Sequence, residues 1–283
     1  MNIHTHTTYC DGSEDPVEYI HKAIELGWKH LGFSAHAPLP FHSEWAMKES
    51  QIGQYVRELK TLDKHFNSSI QPIIGWEIDY LHGKGLYALK YDEISNAEYL
   101  ICSIHYLPIL MSDGKVIEYI EIDGTIEEFH RIYTYHNQNL KEILDLYLLN
   151  FEQMLNISIS PIRIIGHIDK IVINAENYPE FKNLKSAFYQ SLFDILKKQN
   201  IDSFLLEINT RGLYKKNRHN PYPAFEFIHL IKDANFKIMI NSDAHHPCEL
   251  NQGYDFVLDY LKQNKINLNW ASIKDKCNEC SIA

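Results

Sequence analysis

Two histidines and an aspartate near the N-terminus have residue types and a spacing that suit metal binding. His4 and His6 are two residues apart, and Asp11 follows them just before Gly12. Residues i and i+2 of an extended strand point to the same face, so both imidazoles are expected to face one point. Asp11-Gly12 is typical of a turn that could return a carboxylate to that point. Two such imidazoles make half of a metal site, and the competing interpretation is a strand with two solvated histidines.

Further metal-competent side chains follow the predicted strands. After the first, the predicted strands cover residues 30–35, 70–78, 99–104, 162–166, 204–209 and 236–241. Near the ends of five of them stand His36, Glu77, His105, His167, Asp243 and His245. A single histidine at a strand end is more often a loop or capping residue than a ligand. In a parallel α/β barrel, however, the carboxyl ends of all strands meet on one face, where active sites are built.

Helical patterns separate these strands. Pro16 and Gly27 bracket the first helix, and a second has its apolar face between Ile52 and Leu62. A capping box at residue 125 predicts one long helix that continues to about residue 155. Alternation of strand and helix means parallel strands with helical crossovers. We predict an α/β barrel of seven strands; the alternative, an open doubly wound sheet, would spread the candidate ligands too widely for one site.

Composition excludes several classes of protein. No apolar run approaches the ~18 residues of a membrane span, and the N-terminus lacks the features of a signal peptide, so we expect a cytoplasmic protein without membrane partners. A formal net charge of −10 disfavours nucleic acid as a partner. The five cysteines argue against a disulfide framework, and the lone Cys277-x-x-Cys280 motif is interpreted as incidental.

The ligand types limit the choice of metal. Imidazoles and carboxylates suit Zn, Mn or Fe, and few thiolates are in position. A single catalytic zinc needs three protein ligands, so this set suffices for two or three divalent ions. Glu77 and Asp243 are the natural bridging carboxylates. Paired metals activate water and clamp a phosphoryl group during in-line displacement, which predicts a small-molecule phosphate ester as substrate.

Taken in order, these segments resemble the PHP (polymerase and histidinol phosphatase) family. The resemblance covers residue 1 to about residue 250 and is carried by His4-Thr-His6 with Asp11, Ser34-Ala-His36, Gly75-Trp-Glu77, Ser103-Ile-His105, Gly166-His-Ile-Asp169 and Ser242-Asp-Ala-His245. It implies a single domain over residues 1–283 with a distorted (β/α)7 barrel and a trinuclear metal centre. The chain length and Glu207-Ile-Asn-Thr210 are similar to the histidinol-phosphate phosphatases of the family.

The resemblance also implies how the ligands divide among three ions. One ion would be held by His4, His6, Glu77 and Asp243; the second by Glu77, His105 and His167; the third by Asp11, His36 and His245. Some members of the family have a histidine where this chain has Asp11-Gly12, so Asp11 departs from their pattern.

The implied reaction is hydrolysis of L-histidinol phosphate, in histidine biosynthesis. Asp243, His245 and Glu77 would be catalytic. Arg211 and Arg218, just past the sixth strand, are candidates to bind phosphate through their forked donors. His42 follows the second strand closely enough to overhang the site and contact substrate. The residue that recognises the substrate amine and the oligomeric state remain unassigned.

Three other functions remain open from the residues alone. A nuclease or a phosphoesterase for another ester would use the same metal chemistry. An amidohydrolase-like deaminase also begins with a His-x-His motif, but it would need a different ligand set and no phosphate contacts. A metal-binding domain without catalysis is the third.

Overall fold

A parallel sheet runs through the structure, a computed structural model that describes residues 1–215 and 219–271. The strands are β1 His30–Phe33, β2 Gln71–Leu81, β3 Gly85–Leu86, β4 Tyr99–Ser103, β5 Tyr106–Leu110, β6 Val116–Glu121, β7 Ile162–Ile165, β8 Leu205–Asn209, β9 Lys237–Asn241 and β10 Asn269–Trp270. The sheet has the order β1-β2-β4-β7-β8-β9-β10, parallel throughout, with β3 antiparallel to β2. The parallel crossovers confirm the predicted strand–helix alternation.

Helices connect these strands. They are α1 Pro16–Glu25, α2 Ile52–Phe66, α3 Asp92–Ser95, α4 Ile126–Tyr135, α5 Leu140–Leu155, α6 Val172–Ala175, α7 Phe181–Lys197, α8 Arg211–Tyr214, α9 Phe225–Ile231 and α10 Tyr254–Gln263. Short 3₁₀ turns occupy Glu49–Gln51, Tyr87–Lys90, Ile201–Ser203 and Pro247–Glu249. Among the described residues, none of these helices has the length and apolarity to cross a membrane.

The N-terminal segment, residues 2–6, connects the two sides of the curled sheet. On one side it accepts backbone hydrogen bonds from Gly32 and Ser34; on the other it exchanges them with Ala244, just after β9. Its bridge to Ala244 is parallel. Counted with β1, β2, β4, β7, β8 and β9, this segment makes seven strands around a barrel, as predicted. The barrel is distorted because the segment forms only this one bridge, while β10 pairs with the start of β9.

An apolar layer fills the barrel below the C-terminal strand ends. It consists of Ile3, Ile73, Tyr99, Ile101, Ile164, Leu205 and Met239, all buried. The inward-facing residue of β1 at the level of this layer is Gly32, where a side chain would clash with the Tyr99 hydroxyl. A larger apolar cluster packs the helices against the outside of the sheet.

One local prediction, the long helix after residue 125, needs correction. The helix predicted from residue 125 to 155 is broken into α4 and α5, because Asn137 and Gln138 take left-handed backbone conformations with φ of 52° and 60°. The predicted capping box of Thr125 and Glu128 does form at the start of α4. Residues 107–124, whose Asp113-Gly114 and Asp123-Gly124 pairs predict a surface excursion with turns, contain most of the antiparallel hairpin β5–β6.

Candidate metal centre

The polar residues of the site follow the apolar layer along the same inward faces. Because side chains alternate across a strand, every second residue points inward. On β2 the inward series passes from Ile73 to Glu77, and on β8 it passes from Leu205 to Glu207. The barrel therefore has an apolar floor and a buried layer of charged and polar groups directly above it.

Glu77 lies at the centre of this polar layer and is 1% exposed. Five imidazoles surround its carboxylate, with N···O distances of 2.9 Å to His167, 3.0 Å to His4, 3.2 Å to His36, 3.3 Å to His6 and 3.6 Å to His105. The hydroxyl of Ser103 donates to the same carboxylate at 2.6 Å. The predicted convergence of the N-terminal histidines with the strand-end residues is present in the structure.

Asp243 forms the second carboxylate of the layer. Its Oδ1 lies 3.4 Å from His6 Nε2 and 3.5 Å from His245 Nδ1. Its backbone has a φ of 57°, a left-handed conformation that costs about 1–3 kcal/mol outside glycine. In this conformation the carbonyl of Asp243 accepts a hydrogen bond from Arg211 at 2.8 Å, while the side chain faces the imidazoles. The strained backbone thus serves both contacts at once.

Asp11 returns to the site through the predicted turn. A side chain at Gly12 would clash with the backbone of His6 and Thr7, so the turn packs directly against the N-terminal segment. The Asp11 carboxylate lies 3.0 Å from His245 Nε2 and 3.6 Å from His6 Nδ1.

Two buried carboxylates hold ligand histidines from behind. Glu207 Oε1 is 2.7 Å from His4 Nδ1, and Asp79 Oδ1 is 2.8 Å from His105 Nδ1. Each contact orients the ring so that Nε2 faces Glu77. Asn241 also donates to Glu207 at 2.9 Å. Such partners fix the tautomer and raise the basicity of a metal-binding histidine.

Burial and charge act in opposite directions on the pKa values of these groups. Burial disfavours the charged form of His4, but Glu207, Asp243 and Glu77 raise its pKa to about 10. Burial likewise opposes protonation of His105, yet Asp79 and Glu77 raise its pKa to about 9. Burial would raise the pKa of Glu77, but the neighbouring imidazoles hold it well below its usual range. Without a metal, protons on His4 and His105 therefore balance part of the carboxylate charge, whereas burial lowers the pKa of His36 and His167 and favours their neutral forms.

The donor set fits divalent cations. His6 Nε2 and His36 Nδ1 are buried and have no hydrogen-bond partner among the described residues, although both point at Glu77. The ligand atoms converge in four groups: His6, Asp11, His36 and His245; His4, His167 and Asp243; His4, His6 and Glu77; and His36, Glu77 and His105. All nine predicted ligands occur in these groups. These groups place His36 with Glu77 and His105, and His167 with His4, so they differ from the division among three ions that the family resemblance implies. That these residues bind metal stays a prediction.

A cavity of about 170 Å³ opens above the polar layer. One water molecule needs roughly 10–15 Å³, so the cavity has room for a small molecule. Besides ligand candidates, its walls contain Trp45, Glu121, Asp123, Lys170, Arg211 and Tyr222. Lys170 Nζ lies 3.3 Å from Asp123 and 4.0 Å from Asp243 Oδ2. The cavity thus combines the carboxylate–imidazole cage with two cationic side chains.

The predicted substrate contacts have different outcomes. Arg211 lines the cavity, as its position after the sixth barrel strand predicts. His42 does not: its side chain is 80% exposed and lies 2.7 Å from Glu44, in a separate surface groove. Trp45 covers the site instead, because the chain after β1 places its ring 4.4 Å from that of His36. Arg218 and the Cys277-x-x-Cys280 motif lie outside the described residues.

Sequence reasoning missed several residues of the site. Glu207 and Asp79 could have been found from the two-residue period, because each follows an inward residue of its strand by two positions. Lys170 follows the predicted ligand His167 by three positions, but nothing in its local sequence distinguishes it from a solvated lysine. Glu121 and Trp45 reach the cavity only through contacts between distant parts of the chain.

Comparison with known proteins agrees with this architecture. The family model for the PHP domain matches residues 2–211. The chain belongs to the PHP family. The match ends before β9, so Asp243 and His245 lie beyond it and join the PHP site through the fold. The "Probable histidinol-phosphatase" of Deinococcus radiodurans is 24% identical over 267 residues, covering 92% of this chain and 90% of the relative.

Two solved structures share the fold of this PHP protein. The "putative histidinol phosphatase hisK" of Listeria monocytogenes has a TM-score of 0.74 and 23% identity, covering 90% of this chain and 98% of that one. Histidinol phosphate phosphatase from Lactococcus lactis, complexed with Zn, L-histidinol and phosphate, has a TM-score of 0.60 and 18% identity, covering 95% and 94% of the two chains. These likenesses confirm the predicted barrel fold.

Replacing Glu207 by Gln is expected to weaken metal binding about 10- to 100-fold, because the negative charge behind His4 is lost. The measurement is competitive titration of Zn²⁺ with a chromophoric chelator. Asp202→Asn is the matched control, because Asp202 precedes the N-terminal end of β8, away from the site. This variant should bind Zn²⁺ as the unmodified protein does. Unchanged affinity in Glu207→Gln would show that this carboxylate does not support the site.

Zinc binding to the metal-free protein near neutral pH is expected to release protons from His4 and His105, because only a neutral imidazole coordinates. Both pKa values lie above neutrality, so apparent affinity should rise with pH until those values are reached. Calorimetry in two buffers of different ionisation enthalpy counts the protons. Asp79→Asn should reduce the count, since it removes the charge that raises the pKa of His105. Zinc binding without proton release would contradict the assigned protonation.

Proposed function

We propose that this protein is a metal-dependent histidinol-phosphatase, which hydrolyses L-histidinol phosphate to L-histidinol and phosphate. The observation that carries the proposal is the cage of nine imidazole and carboxylate side chains on a cavity that also contains Lys170 and Arg211. A relative named for this activity aligns with about nine tenths of both chains. Both the chemistry and the family therefore support a phosphoric monoester hydrolase.

Two or three divalent ions, of Zn, Mn or Fe, are the cofactors that this donor set fits. Glu77 would be shared between two of these ions, because imidazoles surround both of its carboxylate oxygens. When bound, such ions activate water and neutralise charge on a transferring phosphoryl group. Zinc is present with L-histidinol and phosphate in the Lactococcus lactis structure, which supports zinc as one of them.

Arg211 and Lys170 supply the positive charge that a phosphate ester needs from the protein. Arg211 Nη1 donates to the Asp243 carbonyl at 2.8 Å and lies 3.7 Å from Glu249, and these contacts hold the guanidinium at the cavity wall. Its remaining donors suit two phosphoryl oxygens. Lys170 is 12% exposed and lies between Asp123 and Asp243, where its ammonium can neutralise charge as the ester bond breaks.

In this scheme Glu77 and Asp243 would hold the metal ions in position for the reaction. His245 lies at the more open side of the cage, 14% exposed, with Nε2 held by Asp11 at 3.0 Å. We propose that His245 assists the departure of the alkoxide, because it is the imidazole of the cage with the most access to solvent. These catalytic roles follow the predicted ones.

We further propose that the protein acts in the cytoplasm as a single barrel domain. Its substrate is a small-molecule ester, and nucleic acid is not a partner. The cysteines of the described residues, Cys10, Cys102 and Cys248, are unpaired, which suits a reducing compartment. A net charge of −10 repels the phosphates of long nucleic acids.

A panel of phosphate esters tests the proposal. With metal loaded, kcat/KM for L-histidinol phosphate is expected to exceed that for p-nitrophenyl phosphate by about 100-fold or more, since both esters offer a phosphate but only the histidinol moiety carries an ammonium and an imidazole that can contact the rest of the cavity wall. Equal values would refute histidinol phosphate as the substrate. Salt-dependent cleavage of DNA would favour the nuclease alternative instead.

A further inference from the structure

The hairpin β5–β6 brings a second pair of carboxylates to the cavity. Glu121, the last residue of β6, pairs in register with Tyr106, which directly follows His105. The backbone of Ile122 donates to the carbonyl of His105 at 2.9 Å, so Glu121 and Asp123 flank this ligand candidate. Both carboxylates line the cavity, although neither belongs to the ligand groups.

The two carboxylates differ in their counter-charge. Asp123 is paired with Lys170 at 3.3 Å. Glu121 instead accepts hydrogen bonds from two neutral donors, the Trp45 indole at 2.6 Å and the Tyr106 hydroxyl at 3.0 Å, both on Oε1. Among residues 1–215 and 219–271, no lysine, arginine or histidine lies within ion-pair distance of it. Its Oε2 has no hydrogen bond to a described residue and faces the space beside Gly124.

A carboxylate fixed in a cavity by neutral donors presents an unbalanced negative charge. Glu121 is half-buried, so water compensates this charge less than it would at the surface, and a cation that enters the cavity can pair with it. Two donors on one oxygen hold the group in place, and the other oxygen remains available. This arrangement suits a cationic ligand that enters the cavity.

Trp45 connects this carboxylate to the ligand cage. Its ring lies 4.4 Å from that of His36 and 5.4 Å from that of His105, while its N–H donates to Glu121. One indole therefore extends from the cage to the acidic group. A ligand whose phosphate contacts the cage would have its neighbouring carbon atoms beside this indole, which also favours a nearby cation through its π face.

We propose that Glu121, positioned by Trp45, binds the ammonium group of the substrate's alcohol moiety and selects phosphate monoesters of amino alcohols over uncharged ones. The inference rests on the proposed function and extends it. In L-histidinol phosphate the ammonium is on the carbon next to the one that bears the ester, so it lies close to the phosphate. Glu121 supplies the acidic partner that sequence reasoning left unassigned.

The test compares two esters that differ only in the amine. They are L-histidinol phosphate and the phosphate of 3-(imidazol-4-yl)propanol, measured with the metal-loaded full chain. The unmodified protein should prefer the aminated ester, and Glu121→Gln should reduce the ratio of the two kcat/KM values about 10- to 100-fold. Glu121→Asp, which keeps the charge but shortens its reach, should reduce the ratio less.

Glu118→Gln is the matched control, because Glu118 is on the same strand but pairs with Arg131 at the surface. It should keep the ratio of the unmodified protein. If Glu121→Gln lowers both kcat/KM values by one factor and leaves the ratio unchanged, Glu121 is only structural and the inference fails. An unmodified protein that hydrolyses both esters equally also overturns amine recognition, while its phosphatase activity stands. An unmodified protein that hydrolyses neither ester refutes the proposed function and the inference with it.

Discussion

Glu77→Gln is expected to lower kcat for histidinol phosphate by about 10³-fold or more. The substitution keeps the shape of the side chain but removes the negative charge that five imidazoles share. Losing one preorganised electrostatic group in an active site costs about 10²–10³-fold, and Glu77 is expected to contribute to more than one ion. Elemental analysis of the purified variant should find at least one metal ion fewer per chain.

Glu98→Gln is the control for this substitution. Glu98 is exposed before β4, accepts a hydrogen bond from the Ile74 amide at 2.9 Å and lies at the opposite end of the barrel. It should keep both metal content and turnover. Circular dichroism separates loss of the site from loss of the fold. A folded Glu77→Gln protein with full metal content and normal turnover would refute the central role of this carboxylate.

Removing the metals is expected to abolish turnover entirely and to lower the melting temperature by roughly 10 °C. A ligand present at 1,000 times its Kd stabilises a fold by about 4 kcal/mol, and about 1 kcal/mol shifts the melting temperature by about 2–4 °C at this size. Dialysis against a chelator, followed by the phosphatase assay and a thermal melt, measures both effects. Adding Zn²⁺ or Mn²⁺ back should restore them.

The chelator itself must be excluded as an inhibitor. Protein dialysed against chelator already saturated with Zn²⁺ is the control and should retain its activity. Full turnover after exhaustive chelation would rule out metal-dependent catalysis. A loss of activity without a change in melting temperature would mean that the ions act in the reaction but contribute little to stability.

The residues that the sequence predicts best are those at strand ends. His4 and His6 share a face because of a two-residue period, and His105 directly follows a strand of buried residues, so local patterns suffice to place them. Parallel strands then bring their carboxyl ends together whatever the loops do. The barrel and the ligand cage were therefore accessible from the sequence.

The cavity walls were not accessible in this way. Trp45 and Glu121 meet 76 positions apart in the chain, and neither position has a local signal. His42 was chosen because it is close in sequence to β1, but the path of the following loop carries it to the surface. The break between α4 and α5 depends on two left-handed residues that helical periodicity does not reveal. Long-range contacts decide such features.

The apolar floor of the barrel has a consequence for how the centre exchanges its ions. Seven packed side chains, including Ile3, Tyr99 and Met239, block the passage from the other end of the strands. Ions must therefore enter and leave by the same route, through the opening beside Trp45. Extraction rates should therefore depend on the size of the extracting molecule, and a bulky scavenger should act far more slowly than a small one of equal affinity.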